Sequence, residues 1–96
     1  MEEFEELVCD YLKLIPFGRV TTIGEVARIS GRPNSTKKVS QIIKENESSF
    51  AWYRVVKTDG SFWDGKRRKQ KENLLNEGVI CEGNKVDLQT YGFYFW

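Results

Sequence analysis

Thr21-Thr22-Ile23-Gly24-Glu25-Val26-Ala27-Arg28-Ile29-Ser30-Gly31-Arg32-Pro33-Asn34-Ser35-Thr36-Lys37-Lys38-Val39 is the stretch that decides the fold. Thr22 followed three residues later by Glu25 is a capping-box pattern, in which hydroxyl and carboxylate each satisfy an orphan amide at a helix start. Val26, Ala27 and Ile29 then share one face, and Gly31 ends the helix. Arg32 to Thr36 is a turn with Ser35 as N-cap of a second helix. In that helix Val39, Ile42 and Ile43 form an apolar stripe that ends near Asn46. Two short helices joined by a tight turn, the second opening on Ser, Thr, Lys and Lys, have the shape of a helix-turn-helix. Many helical hairpins share that shape.

Upstream, Phe4, Leu7, Val8, Tyr11, Leu12 and Ile15 recur at helical spacing, which predicts an amphipathic helix over 2–14 stopped by Pro16. Cys9 flanks the stripe as a packing residue. Downstream, residues 50–56 read as a buried strand or extended loop, and Thr58-Asp59-Gly60 as a turn. Lys66 to Lys71 form a basic run. Lys71 to Gly78 read as a short helix with a glycine stop, and Val79 to Leu88 as a hairpin turning at Gly83-Asn84. Tyr91, Phe93, Tyr94, Phe95 and Trp96 form an aromatic tail expected to pack back on the domain. The expected fold is mainly α with a small β-hairpin, a winged helix-turn-helix DNA-binding domain spanning 1–96 as one unit.

The composition of the 96 residues is 40 % hydrophobic and 30 % charged, ordinary for one small folded domain. No apolar run approaches membrane-spanning length, and the acidic opening does not resemble a signal peptide. The two cysteines, Cys9 and Cys81, form no metal or redox motif. The chain has no histidine, which excludes His-dependent acid–base catalysis, Ser-His and Cys-His nucleophiles and most zinc sites. No metal and no cofactor are expected. The net charge of +1 conceals a segregation: residues 1–15 carry net −4, residues 16–71 net +8 and residues 72–96 net −3. A positive middle between negative ends suits either a solvated mixed surface or a face that binds a polyanion.

The order of motifs then carries a resemblance. Ile15-Pro16-Phe17-Gly18-Arg19-Val20-Thr21-Thr22-Ile23-Gly24-Glu25-Val26-Ala27 is similar to the Ile-Pro-x-Gly-x-Val-Thr-Thr-Tyr-Gly-x-Ile-Ala opening of the O6-alkylguanine-DNA alkyltransferase C-terminal domain. Gly31-Arg32-Pro33, Val39 and Asn46 keep that family's spacing. Ala51-Trp52-Tyr53-Arg54-Val55-Val56, followed by Asp59-Gly60, falls where the family has Pro-Cys-His-Arg-Val-Val and its turn. Gly65, Lys71, Leu74-Leu75 and Glu77-Gly78 resemble the closing helix, so that the likeness covers residues 4–88. Trp52 stands at the alkyl-accepting cysteine and Tyr53 at the histidine. This looks like the alkyltransferase-like branch, which recognises O6-alkylguanine without repairing it and hands it to nucleotide excision repair.

The resemblance implies a non-enzyme that docks a helix-turn-helix in the minor groove of duplex DNA and flips the damaged nucleotide. A base must leave the stack before its O6 substituent can be inspected. Thr22, Ser35 and Thr36 open the two helices and are candidate phosphate contacts, with simple capping as the plainer role. Lys37 matches the family's arginine finger and, like Lys38, carries charge without a planar stacking surface. The backbone carbonyls of Trp52 and Val55 are implied acceptors for the guanine amino group. Trp52 offers an apolar wall to the alkyl group, and Ile23 replaces a tyrosine that touches the base. Tyr53 is placed to bond toward Glu77. Trp63 is expected to close the alkyl cavity and the Asp64 amide to reach the guanine O6. Arg54 and Asn46 hold the site loop together. The Lys66–Lys71 run adds phosphate contacts and salt dependence. Implied partners are duplex DNA containing O6-alkylguanine and nucleotide excision repair proteins, with the protein monomeric, away from membranes and DNA-associated inside the cell (cytoplasm or nucleoid, or nucleus). The rival reading is a plain winged-helix DNA-binding protein or regulator without the lesion pocket, for which Ile23 and Lys37 speak.

Overall fold

Phe4, Val8 and Leu12 recur every fourth residue and form the buried face of α1 (Glu3–Leu12). A computed structural model describes residues 3–95; Glu2 in the expected first helix and Trp96 in the aromatic tail lie outside them. The helix stops short of Pro16. The Leu14 amide already donates to the Tyr11 carbonyl at 3.0 Å, a turn that tightens the helix end. Ile15 continues the buried stripe, whereas Leu7 lies at its margin and is 37 % exposed.

After Pro16-Phe17-Gly18 the chain enters β1 (Thr21–Thr22) and passes directly into α2 (Ile23–Ile29). Thr22 caps α2 as its sequence predicts, its Oγ1 accepting from the Glu25 amide at 3.0 Å. Glu25 does not complete the box. Its carboxylate instead holds the Arg28 guanidinium (Nε–Oε1 2.9 Å, Nη2–Oε2 2.7 Å) and accepts from the Phe95 amide at 2.8 Å, because the C-terminal segment supplies a donor at that spot. Gly31, with φ of 91°, turns the chain toward α3 (Thr36–Glu45). Val39, Ile42 and Ile43 face inward, and Asn46 closes the helix with its Nδ2 donating to the Ile42 carbonyl at 2.8 Å. α1, α2 and α3 pack mutually around a core that also takes in Ile23, Trp52, Val55, Trp63 and Phe95.

Residues 52–56 are neither a plain strand nor a plain loop. A single 3-10 turn over Trp52–Arg54 leads into β2 (Val55–Val56). β2 runs parallel to β1, with Thr21 opposite Val55 and Thr22 opposite Val56. This two-stranded pair is the only sheet among the described residues. The expected hairpin contracts to a bridge. Glu82 and Lys85 exchange backbone bonds of 2.9 and 3.1 Å around Gly83-Asn84, and Lys85 also bridges to Ser61. A strand through Leu88 is replaced by a short helix, α5 (Leu88–Tyr91), which Asp87 caps by accepting from the Gln89 amide at 3.0 Å.

The basic run belongs to a helix rather than to a loop. α4 spans Arg67–Asn76 and so begins before Lys71. Lys, Arg and Gln are good helix formers, and Leu74 and the fully buried Gln70 one turn earlier give the helix an inward face. Gly78 ends α4 with φ of 83°. Val20, Val56, Phe62, Leu74, Val79 and Val86 form a second buried cluster beneath it. The tail packs back as expected. The Phe93 amide donates to Val20, Gly92 bridges to Val20, and the Phe95 ring sits 5.2 Å edge-on to Tyr11, while Tyr94 stays exposed. The architecture is mainly helical with a small sheet, as the sequence predicts, and the wing is much reduced.

Candidate nucleic-acid interface

α2, the Ser30–Ser35 turn and α3 form the helix-turn-helix. Lys37 stands exposed in the first turn of α3, with Thr36 and Lys38 half-buried beside it. Ser35 occupies the N-cap position but its side chain makes no capping bond, so the expected hydroxyl cap is absent there. The opening of α3 thus presents two hydroxyls, two lysines and the first amides of a ten-residue helix on one edge, an arrangement with affinity for phosphate. Thr22 differs. It is buried, and its hydroxyl is committed to the α2 cap.

The β1–β2 pairing brings the other candidates to the start of α2. Ile23, Trp52, Val55 and Trp63 belong to one buried cluster, with Tyr53 packed against it. The Trp52 side chain does not stand open as an alkyl-binding wall. Trp52 is only 8 % exposed, with its ring edge-on to Tyr53 at 5.9 Å. Lys66 covers it, with Nζ 5.1 Å from the Trp52 ring centre and 2.5 Å from Glu47 Oε2. Lys44, on α3, lies 5.9 Å over Trp63. Two lysines therefore roof two buried indoles, a cation–π arrangement.

Nor does Val55 present a free carbonyl. Its oxygen accepts from Trp63 Nε1 at 2.6 Å and from Gln70 Nε2 at 2.9 Å. Gln70 also donates to the Tyr53 carbonyl at 3.1 Å and accepts the Trp63 amide at 2.9 Å. Each of these polar groups is thus satisfied within the fold. Asp64 is an exposed rim residue whose carboxylate meets Lys57 at 3.1 Å and Arg67 at 2.9 Å. These bonds, Lys57 first, lower its pKa.

Behind the site, Arg54 and Glu77 form a bidentate pair, Nε–Oε1 3.0 Å and Nη2–Oε2 2.8 Å. Arg54 Nη1 also donates to the Ile15 carbonyl at 2.9 Å, and the Gly18 amide donates to Glu77 Oε1 at 2.9 Å. One ion pair so ties the site segment to the chain on either side of Pro16 and to the end of α4; Arg54, rather than Tyr53, is the main partner of Glu77. Burial alone would raise the Glu77 pKa. The Arg54 hydrogen bonds, the Gly18 amide, the Arg54 charge and Tyr53 together outweigh it and hold the pKa below the usual carboxylate value. Burial, then the Glu77 charge and a hydrogen bond to it, raise the Tyr53 phenol. Asn46, by contrast, bonds its own helix, and supports the site only by turning the chain toward Ser49 and Phe50.

Sequence reasoning missed Gln70, Glu47 and Lys44. The one signal for Gln70 was its place as the uncharged residue of the basic run, four before Leu74 and so on the same helix face. Two cavities lie to either side of the Trp52 and Trp63 indoles. One of about 380 Å³ opens between α1 and the 46–50 turn, bordered by Cys9, Asn46 and Phe50. A shallow basic groove of about 530 Å³ runs along Gly65, Lys66, Arg68 and Lys69. Trp52 lines neither, although Lys66, which covers its ring, lines the groove. Both thiols have pKa values raised first by burial, so neither is an activated nucleophile.

Residues 3–79 match the model of the 6-O-methylguanine DNA methyltransferase DNA-binding domain. The chain belongs to that family. A DNA base-flipping protein of Escherichia coli is 35 % identical over 94 % of this chain and 74 % of its own length. Alkyltransferase-like protein 1 of Schizosaccharomyces pombe is 37 % identical over 82 % of this chain and 79 % of its own. The fold of S. pombe Atl1, solved in complex with damaged DNA containing O6-carboxymethylguanine, superimposes with a TM-score of 0.89 at 31 % identity, covering 99 % of this chain and 98 % of that one. The likeness thus runs over almost the whole length of a protein solved in complex with damaged DNA.

Proposed function

We propose that this protein recognises O6-alkylguanine in duplex DNA without alkyl transfer. The observation that carries the reading is the match of fold over nearly the full length of both chains with a protein solved on damaged DNA. On this reading α3 enters the minor groove, its Ser35–Lys38 edge takes phosphate, and Lys37 fills the place of the departing base. The flipped guanine comes to rest against Trp52, between Ile23, Tyr53 and the Trp63–Asp64 loop, and its amino group bonds the carbonyls of Trp52 and Val55. Trp52 replaces the acceptor cysteine, so binding is the end of the protein's own chemistry: an indole is no nucleophile at neutral pH, and no imidazole is present to activate one. Delivery of the bound lesion to nucleotide excision repair completes the proposal, with the protein acting as a DNA-associated monomer inside the cell.

The burial of Trp52 and the saturated Val55 carbonyl favour a second reading, a helix-turn-helix protein that binds DNA without inspecting bases. A titration at matched salt separates the two. Duplexes with and without one O6-methylguanine are compared for the unaltered chain and for Trp52→Ala. Lesion recognition predicts tighter binding to the damaged duplex, and a loss of about 1–3 kcal/mol on Trp52→Ala for that duplex alone, the value of a base stacked on an aromatic ring. Retained affinity for the plain duplex shows that the variant is folded. Equal affinity of the unaltered chain for both duplexes removes the reading. A stoichiometric alkyl adduct on the protein, seen by mass spectrometry, removes its non-enzymatic part.

A further inference from the structure

Val55, Trp63 and Gln70 together raise a question of occupancy. A carbonyl oxygen has two lone pairs, and that of Val55 already holds two N–H donors, at 2.6 and 2.9 Å. A third donor, such as the amino group of a flipped guanine, finds no vacancy on this oxygen until one of them leaves. The two are unequally fixed. Gln70 is wholly buried on α4, and its amide makes three bonds, to the carbonyls of Tyr53 and Val55 and from the Trp63 amide. Withdrawing it would break all three at once and leave the buried Trp63 amide without this partner, at the cost of a desolvated polar group. Trp63 Nε1 makes the single bond to Val55, and its residue sits between β2 and α4, followed by exposed Asp64 and by Gly65 at φ 79°. What roofs it is light. Lys44 is solvent-exposed, and the neighbouring Lys66–Glu47 pair is about 40 % exposed on each side, so opening it costs little.

We propose that Trp63 is a displaceable plug of the base pocket, its indole N–H holding the Val55 carbonyl until a flipped O6-alkylguanine takes that bond over, while Gln70 stays in place. This rests on the lesion-recognition reading and specifies how its site opens. The exchange conserves chemistry as well as space. A flat bicyclic aromatic with one N–H on the carbonyl gives way to a flat bicyclic purine with one N–H on the same carbonyl. It also fits the 8 % exposure of Trp52 in the free chain, since Trp63 belongs to the same buried cluster and its departure would open space there. A duplex whose bases remain stacked gives no donor to the carbonyl and leaves the plug seated.

Two measurements test this. Indole N–H resonances of the unaltered chain, that of Trp63 assigned through its contacts with Val55, are followed while plain and O6-methylguanine duplexes are added. The damaged duplex is expected to move the Trp63 resonance toward a free indole and to speed its exchange with water, and the plain duplex to leave it unchanged. Trp63→Phe keeps an aromatic filler but gives up the N–H. It is expected to bind the damaged duplex about three- to tenfold more tightly, the equivalent of one net hydrogen bond, with affinity for the plain duplex unchanged. If the unaltered chain prefers the damaged duplex and the Trp63 resonance stays in place, or moves equally with both duplexes, the plug is overturned and lesion recognition stands. If the unaltered chain binds both duplexes equally, the plug falls together with the reading beneath it.

Discussion

Replacing Arg54 by Met tests the pair that anchors the site segment. The variant keeps the length and packing of the aliphatic stem but removes every guanidinium bond to Glu77 and the one to Ile15. The Glu77 carboxylate, 5 % exposed in its side chain, is left with the Gly18 amide and Tyr53. Breaking a buried ion pair on one side costs roughly 3–5 kcal/mol; Arg54 is 19 % exposed, so the lower end, about 3 kcal/mol, applies. For a domain of this size that lowers the melting temperature by about 12–24 °C. The cost depends on pH. In the unaltered chain the folded pKa of Glu77 lies below its unfolded value, so its stabilisation is full above the unfolded pKa and is lost as pH falls through the folded one. In Arg54→Met only the Gly18 amide and Tyr53 still oppose the burial that raises the pKa. The folded pKa then rises relative to that of the unaltered chain, and less stability is gained as pH rises from acid to neutral. The gap between the two proteins is therefore widest near neutrality and narrows toward pH 3. Urea unfolding followed by circular dichroism at pH 7 and pH 4, with the double variant Arg54→Met/Glu77→Gln alongside, reads this directly. The double variant should recover more than half of the loss. A gap equal at both pH values, or a double variant as unstable as the sum of the singles, refutes the reasoning.

Gln70→Leu is nearly isosteric but leaves two carbonyls and one amide with fewer partners. It should cost about 2–4 kcal/mol by denaturant unfolding, with Trp63 fluorescence shifting toward that of a solvated indole. Lys37→Ala and Lys38→Ala, at the edge proposed to hold phosphate, should each lower the slope of log affinity against log salt by about one, for plain and damaged duplexes alike. Binding isotherms between 50 and 200 mM salt give that slope, and an unchanged slope for both variants would place the phosphate contacts elsewhere.

Local chemistry made much of this fold legible. Thr22, Gly31 and Asn46 mark helix ends because capping and left-handed turns are satisfied by the residue itself and its near neighbours. The second half of the capping box was not legible, since Glu25 is claimed by a Phe95 amide 70 residues away. The hairpin shrank for a similar reason: Lys85 divides its pairing between Glu82 and Ser61, and Val86 bonds back to Gly60. At the site, the resemblance to the alkyltransferase domain implied that Ile23, Trp52, Val55 and Trp63 come together, and they share one buried cluster. The resemblance did not tell which way the indoles point. That depends on a glutamine hidden in a run of charges and on two lysines, one from α3 and one from the turn that opens α4.

The seam between Thr21–Thr22 and Val55–Val56 has a mechanical consequence. One of its two strands runs straight into the helix-turn-helix, and the other leaves the turn that carries Trp52. The part that grips a backbone and the part that would examine a nucleotide are thus welded at a joint two residues wide. A tilt of the first by an ångström carries the second with it, so posture on the duplex and scrutiny of the base cannot be tuned apart by altering a linker.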